Sequence, residues 1–174
     1  MTHNLLVEST ISVRLVSGPR VVTLPGLLAA GMEDAVLDVP ALRPHQRQAL
    51  HCLLAQLGAL ALLRAGRDAP PGDEEGWRAL LRGLTPAWPD DEPWSLVVDD
   101  LLKPALLQPP VPEGSLAALK EREATPDGLD MLVTSKNHDV KAARLHEARP
   151  EHWFFALLTL QTMEGFLGAG NYGI

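Results

Sequence analysis

Hydrophobic and polar positions change from a strand-like to a helix-like pattern within the first 66 residues. The β-branched runs "TISVRLV" and "RVVTL" are separated by the turn cluster "SGP", which predicts an antiparallel N-terminal hairpin. A short helical turn, "PGLLAAGM", follows. Between Pro44 and Gly66, apolar residues recur at intervals of three and four, which predicts a long helix with Pro44 in its first turn and Gly66 at its stop. The apolar face of this helix holds Leu50, Leu53, Leu54, Leu57, Leu60 and Ala61.

The rest of the chain alternates helical patterns with proline-rich breaks. "DEEGWRALLRGL" predicts an amphipathic helix with acids at its positive end, and "GSLAALKERE" is also helical in pattern. "WSLVVDDLLKPALLQPPVPEG" predicts a short helix followed by an extended segment. "PEHWFFALLTLQTMEGFLG" is apolar on nearly every side, so we expect a helix buried against a core or a partner. The predicted class is therefore α+β, helix-rich with a small N-terminal antiparallel hairpin.

The charge of the chain is concentrated in one segment. The net charge is −7, and residues 68–100 hold nine acids against two bases, which accounts for all of it. The other 141 residues carry thirteen acids and thirteen bases, so the net charge excludes no class of partner. No apolar stretch is long enough to span a membrane and no secretory signal opens the chain. The lone Cys52 suits a reducing compartment, so we expect a cytoplasmic protein.

The run "GAGNYG" at residues 168–173 fits the pattern G-x-G-x-x-G of nucleotide-binding loops. That fingerprint needs a strand before the glycines and a helix after them, whereas here a predicted helix precedes them and only Ile174 follows. We therefore expect no nucleotide cofactor. Two interpretations remain open: a flexible backbone loop that approaches another molecule closely, or a helix stop at Gly168 followed by a frayed tail.

The segment "TSKNHDVKAAR" gathers side chains that suit RNA. Lysine and arginine neutralise phosphates, and asparagine contacts base edges or phosphate oxygens. The alternative is a solvated loop and helix face. The candidate RNA-contacting residues are Lys136, Asn137, His138, Lys141 and Arg144.

Catalytic and metal-binding chemistry has little support in the sequence. His45 and His51 are six residues apart, so they do not share a helix face, and no zinc spacing, nucleophile elbow or phosphate-binding loop occurs. The aspartate doublets at 90–91 and 99–100 are expected on the solvated surface. A small hydrolase that uses His138 and Asp139 stays as the least favoured alternative.

The opening "NLLVESTISVRLVSGPRVVTLPGLL" resembles the start of the CasA family, the large subunit of type I-E CRISPR Cascade. "KPALLQPPVP" is similar to a segment of that family, and the final "LLTLQTMEGFLGAGNYGI" resembles its helix leading into a glycine-rich loop. Family members are far longer, so residues 1–174 would be the N-terminal portion of a large-subunit domain. They would contain an acidic proline-rich insertion near 68–100 and a glycine loop at 168–174.

The resemblance implies a non-catalytic subunit of an RNA-guided antiviral surveillance complex. Its expected partners are guide RNA, target double-stranded DNA, other Cascade subunits and a helicase–nuclease. The family's glycine loop takes part in recognition of the protospacer-adjacent motif near the DNA minor groove, and an upstream loop contacts the guide RNA. The implied DNA-contacting residues are Gly168, Gly170, Asn171, Tyr172 and Gly173.

A rival hypothesis is a structural interaction domain that docks on a partner through the helix at 150–167 and contacts no nucleic acid. A nuclease module fused downstream of residue 174 is also left open. We expect no metal and no catalysis within these residues.

Overall fold

The computed structural model describes residues 2–111, 114, 123–130, 145 and 147–163. Within them lie five α-helices and one three-stranded antiparallel sheet, so the predicted α+β class is confirmed. The strands are β1 (Ile11–Leu15), β2 (Gly18–Val22) and β3 (Val36–Asp38). The helices are α1 (Leu24–Met32), α2 (Arg47–Arg64), α3 (Glu74–Arg82), α4 (Pro126–Leu129) and α5 (Pro150–Met163).

The predicted N-terminal hairpin is present, and a third strand extends it. β1 and β2 pair in register from Ile11 opposite Val22 to Leu15 opposite Gly18, and Gly18 takes a φ of +116° at the turn, where a side chain would be strained. β3 pairs antiparallel with the other edge of β1, which gives the order β2-β1-β3. β1 is therefore the central strand, and the three-residue β3 was not predicted.

The helices begin and end where local chemistry satisfies their terminal backbone groups. The Thr23 hydroxyl accepts from the first turn of α1 at 3.0 Å, and the Asp73 carboxylate does the same for α3 at 2.8 Å. α2 ends in a Schellman motif, in which Gly66 has a φ of +62° and the amides after the helix return to the carbonyls of Leu62 and Leu63. The predicted stop at Gly66 is thus confirmed. Pro44 opens a 3-10 turn before α2 rather than the α-helix itself.

The core lies between the sheet and α1, α2, α3 and α5. The side chains of Phe154, Phe155 and Leu158 on α5 are fully buried, which confirms that the apolar helix is an internal one. Trp77 and Leu81 of α3 are also buried. The core-facing side chains of β1, α1 and α2 are Ile11, Val13, Leu24, Leu27, Ala49, Leu50 and Ala61.

Three expectations about local structure are wrong. Residues 95–111 contain no helix; Ser95 instead forms a bridge with Asn4, and the proline-rich chain follows as turns and bends. Leu60 was placed on the core face of α2 but is 53 % exposed, because α2 is covered along only part of its apolar surface. Asp91 was expected in solvent but is buried, because Arg82 binds its carboxylate. The predicted helix "GSLAALKERE" falls mostly outside the described residues.

Candidate nucleic-acid interface

The residues predicted to contact nucleic acid lie outside the described part of the chain. This holds for the DNA candidates Gly168, Gly170, Asn171, Tyr172 and Gly173, and for the RNA candidates Lys136, Asn137, His138, Lys141 and Arg144. It also holds for Asp139 of the hydrolase alternative. The structure does describe the two residues that border segment 131–144, Asp130 and Leu145, and their surroundings define the base from which that segment departs.

Five polar side chains meet at this base, and we call them the Asp127–Asp130 cluster: Arg43, His45, Gln46, Asp127 and Asp130. Asp130 is fully buried, and its Oδ2 atom accepts from Arg43 Nη1 at 3.2 Å and Gln46 Nε2 at 3.2 Å, and lies 2.7 Å from His45 Nε2. Arg43 Nη2 donates to Asp127 Oδ1 at 2.5 Å. The two buried carboxylates thus share the Arg43 guanidinium, and Gln46 donates to one of them, in keeping with the need of buried charges for partners.

The 3-10 turn before α2 brings the donors of the cluster together. The backbone amide of Arg43 donates to the Gln46 side chain at 3.1 Å, as in a capping box. This bond holds the turn so that residues 43, 45 and 46 face α4. α4 starts at Pro126, after an extended Thr125, so Asp127 lies in its first turn and Asp130 directly follows its end. A three-residue spacing places both carboxylates on one side of this single turn.

The chain re-enters the described fold beside the same carboxylates. The backbone amide of Leu145 donates to Asp127 Oδ2 at 2.8 Å, while Asp127 Oδ1 is bound by Arg43. The residue before segment 131–144 and the residue after it are therefore both hydrogen-bonded within the Asp127–Asp130 cluster. These bonds hold the chain on both sides of the segment at one place in the fold.

A second buried carboxylate fixes the start of α5. Glu151 is 1 % exposed and accepts from the backbone amide of Ser12 at 2.8 Å and from its hydroxyl at 3.0 Å. Its other contact is Arg149 Nη2 at 3.1 Å. Because Ser12 belongs to β1, this bond joins the first strand to the last described helix.

His152 lies between these two groups. Its Nδ1 atom accepts from the backbone amide of Arg149 at 3.0 Å, which satisfies one free donor at the start of α5. Burial, together with the positive charges of Arg149 and Arg43, lowers the pKa of His152 below its ordinary value of 6.5, although Glu151 and Asp127 oppose this. The imidazole is thus kept neutral where it serves as an acceptor.

The acidic segment 68–100 is joined to the fold by ion pairs. Both carboxylate oxygens of Asp91 accept from Arg82, Oδ2 at 2.9 and 2.7 Å and Oδ1 at 3.1 Å, and this hydrogen bonding raises the pKa of the Arg82 guanidinium. Lys103 lies 2.5 Å from Glu92, and its hydrogen bond lowers the pKa of that carboxyl. The segment is therefore an ordered part of the domain rather than a solvated linker.

One pair of described side chains resembles part of a hydrolase site. His45 and Asp130 resemble the base and orienting acid of a hydrolase, but in the described part of the chain no serine, threonine or cysteine hydrogen-bonds to His45. The cavity beside the cluster has a volume of about 20 Å³, enough for one water molecule. Within the described part of the chain, no group of three or more His, Cys, Asp or Glu side chains is placed to hold a metal ion.

The Asp127–Asp130 cluster was not predicted from the sequence. Its only local signal is the pair of acids in "PDGLD" immediately before the basic segment, since Arg43 lies more than 80 residues away along the chain. No helix among the described residues has the length and apolarity to cross a membrane. Comparison of the chain with protein-family models, curated proteins and solved structures found no match.

Proposed function

We propose that this chain is part of a non-catalytic subunit of an RNA-guided DNA surveillance complex. Segment 134–144 would contact the guide RNA, the glycine loop at 168–174 would contact target DNA, and other surfaces would bind neighbouring subunits and a helicase–nuclease. The sequence supports this through the joint likeness of "NLLVESTISVRLV" and "EGFLGAGNYGI" to the two ends of the CasA-like region.

The structural observation that supports the RNA contact is the anchored base of segment 131–144. Asp130 and Leu145 are both hydrogen-bonded within the Asp127–Asp130 cluster, so the chain leaves and re-enters the described fold at one fixed place on either side of the basic residues. Fixing the two ends of a segment before binding lowers the entropy lost when its side chains bind phosphates. The lysine and arginine side chains of the segment would contribute electrostatic affinity, which weakens as salt is added.

The DNA contact rests on the composition of the glycine loop. A backbone without side chains approaches base edges in the narrow minor groove, where the code is degenerate and suits a short motif. Guide pairing would supply the rest of the sequence specificity, while the protein reads the short flanking motif. Replacing Gly168 and Gly170 with bulky residues is expected to weaken binding to motif-bearing DNA in a mobility-shift assay.

The RNA contact is tested by a double variant, Lys136→Ala with Lys141→Ala. Binding of a fluorescent single-stranded RNA is measured by anisotropy at several salt concentrations. The loss of two phosphate contacts is expected to weaken binding and to reduce the slope of log K against log salt by about 1.4. Arg20→Ala is the matched control, because Arg20 is exposed on β2 and its loss removes one positive charge from another surface. Equal affinities and slopes in the double variant, the control and the wild type would overturn the RNA contact.

The rival hypothesis, an interaction domain that docks through the helix at 150–167, stays a prediction. The burial of α5 speaks against it. Phe154, Phe155 and Leu158 are packed in the chain's own core, so their apolar surface is not free for a partner. Crosslinking separates the two hypotheses: adducts between Lys136 or Lys141 and RNA support the proposed function, whereas adducts with protein alone support the rival.

A further inference from the structure

A cavity of about 400 Å³ lies between the first two turns of α5 and the loop that contains Leu96 and Gln108. The volume falls within the range of pockets that bind one small organic group. Side chains from four parts of the chain contribute to its wall. Those that matter for its chemistry are His3, Gln108, Leu129, Arg149, Trp153 and Leu157.

The wall is mainly apolar and includes an aromatic ring. Leu129 and Leu157 supply aliphatic surface, and Trp153 supplies an indole. Trp153 is only half-buried, in contrast to the fully buried Phe154 and Phe155 that follow it on α5. Its indole N–H has no hydrogen-bond acceptor within the described residues. Tryptophan with its ring partly exposed and its N–H unused is typical of a binding surface.

Polar groups at the edge of the cavity are suited to a base and a phosphate. Gln108 Nε2 donates to the Leu96 carbonyl at 3.1 Å, which commits the amide nitrogen and leaves the amide oxygen as an acceptor. The Arg149 guanidinium is 62 % exposed and uses Nη2 for Glu151, so its other N–H groups remain available to a phosphate. His3 adds a third polar group and is 29 % exposed.

We propose that this cavity binds one unpaired nucleobase of a single-stranded RNA, with the base against the Trp153 indole and its phosphate at Arg149. The inference rests on the proposed function. Stacking of a splayed base on an aromatic side chain, with hydrogen bonds to its edge, is the general way in which proteins bind single-stranded RNA.

The position of the cavity along the chain favours RNA over a protein side chain. Leu129 and Ala148 both line it, and these residues stand just before and just after the segment that carries Lys136 and Lys141. The cavity therefore lies at the base of the basic segment. An RNA strand bound by that segment would meet the cavity where the segment leaves and re-enters the described fold.

The experiment measures binding of a fluorescent single-stranded RNA, roughly ten nucleotides long, to the full chain by anisotropy. Trp153→Leu is expected to raise Kd by roughly 5- to 150-fold, the equivalent of about 1–3 kcal/mol of stacking. Trp153→Phe keeps an aromatic ring and is expected to retain most of the affinity. Trp88→Leu is the matched control, because Trp88 is also half-buried but lies in the loop after α3, outside this cavity.

The outcomes separate this inference from the proposed function. Loss of affinity in Trp153→Leu but not in Trp88→Leu, with circular dichroism showing both folded, supports the cavity. If Lys136→Ala with Lys141→Ala weakens binding while Trp153→Leu does not, the cavity proposal is overturned and the RNA function stands. If Trp153→Leu fails to fold, a wild-type adduct between Trp153 and RNA containing 4-thiouridine supports the proposal, and its absence overturns it. Impaired assembly with a protein partner at unchanged RNA affinity also overturns it.

Discussion

Asp130→Asn is expected to destabilise the fold strongly although it changes no side-chain volume. Asp130 is fully buried, and its Oδ2 atom contacts Arg43, His45 and Gln46 within 3.2 Å. An asparagine amide preserves the shape and an acceptor oxygen but removes the negative charge that strengthens all three contacts. Hydrogen bonds to charged groups contribute about 1 kcal/mol more than neutral ones, so three of them give about 3 kcal/mol.

Equilibrium unfolding in urea at about pH 7 measures this loss. A destabilisation of about 3 kcal/mol at an m-value of about 2 kcal/mol per molar lowers the unfolding midpoint by about 1.5 M. Asp99→Asn is the matched control, because Asp99 is exposed and a surface change of this kind falls within about 0.5 kcal/mol of zero. A midpoint for Asp130→Asn equal to that of Asp99→Asn would refute the reasoning, since it would mean that the buried charge contributes nothing.

Two further predictions concern packing and pH. Gly76→Ala is expected to lower the melting temperature, because the new Cβ atom would lie 2.5 Å from the Cβ of Pro71. In Gly31→Ala the new Cβ meets no atom within 4 Å, so this variant is expected to raise the free energy of unfolding by about 0.5–1 kcal/mol. The reverse order of the two melting temperatures would contradict this. The lowered pKa of His152 means that the unfolded chain binds a proton first on acidification, so stability falls as the pH drops below 6.5. His152→Gln keeps an acceptor for the Arg149 amide, so its melting temperature is expected to fall less steeply than that of the wild type as the pH drops. The same fall in both proteins would contradict the role given to His152.

Local signals predicted the parts of the fold that local chemistry determines. The turn cluster between two β-branched runs gave the hairpin, and the glycine at the end of an apolar repeat gave the Schellman stop of α2. The expected helix after Trp94 is absent because the backbone there is hydrogen-bonded to residues far away along the chain. The carbonyl of Trp94 accepts from Leu5, and Ser95 pairs with Asn4. Strand β3 was missed for a similar reason, since three residues carry no readable period and their partner is β1.

The candidate site was harder to predict because its pairings are remote. Arg43 meets Asp127 and Asp130 across 84 and 87 residues, and a single sequence contains no signal for such a pairing. The aspartate doublet at 90–91 shows the same limit. Composition places both residues in solvent, yet Asp91 is buried by an arginine on the preceding helix, while Asp90 is exposed.

The bond between Ser12 and Glu151 has a consequence for synthesis on the ribosome. The two residues are 139 positions apart, so β1 leaves the exit tunnel long before its carboxylate partner exists. At translation rates of about 5–20 residues per second, the time between synthesis of Ser12 and synthesis of Glu151 is roughly 7 to 28 s. During it the central strand has β2 and β3 beside it but lacks the contact that secures α5. A nascent chain is thus exposed to mispairing and to chaperones for as long as α5 is missing, and slow codons before residue 151 would lengthen that exposure.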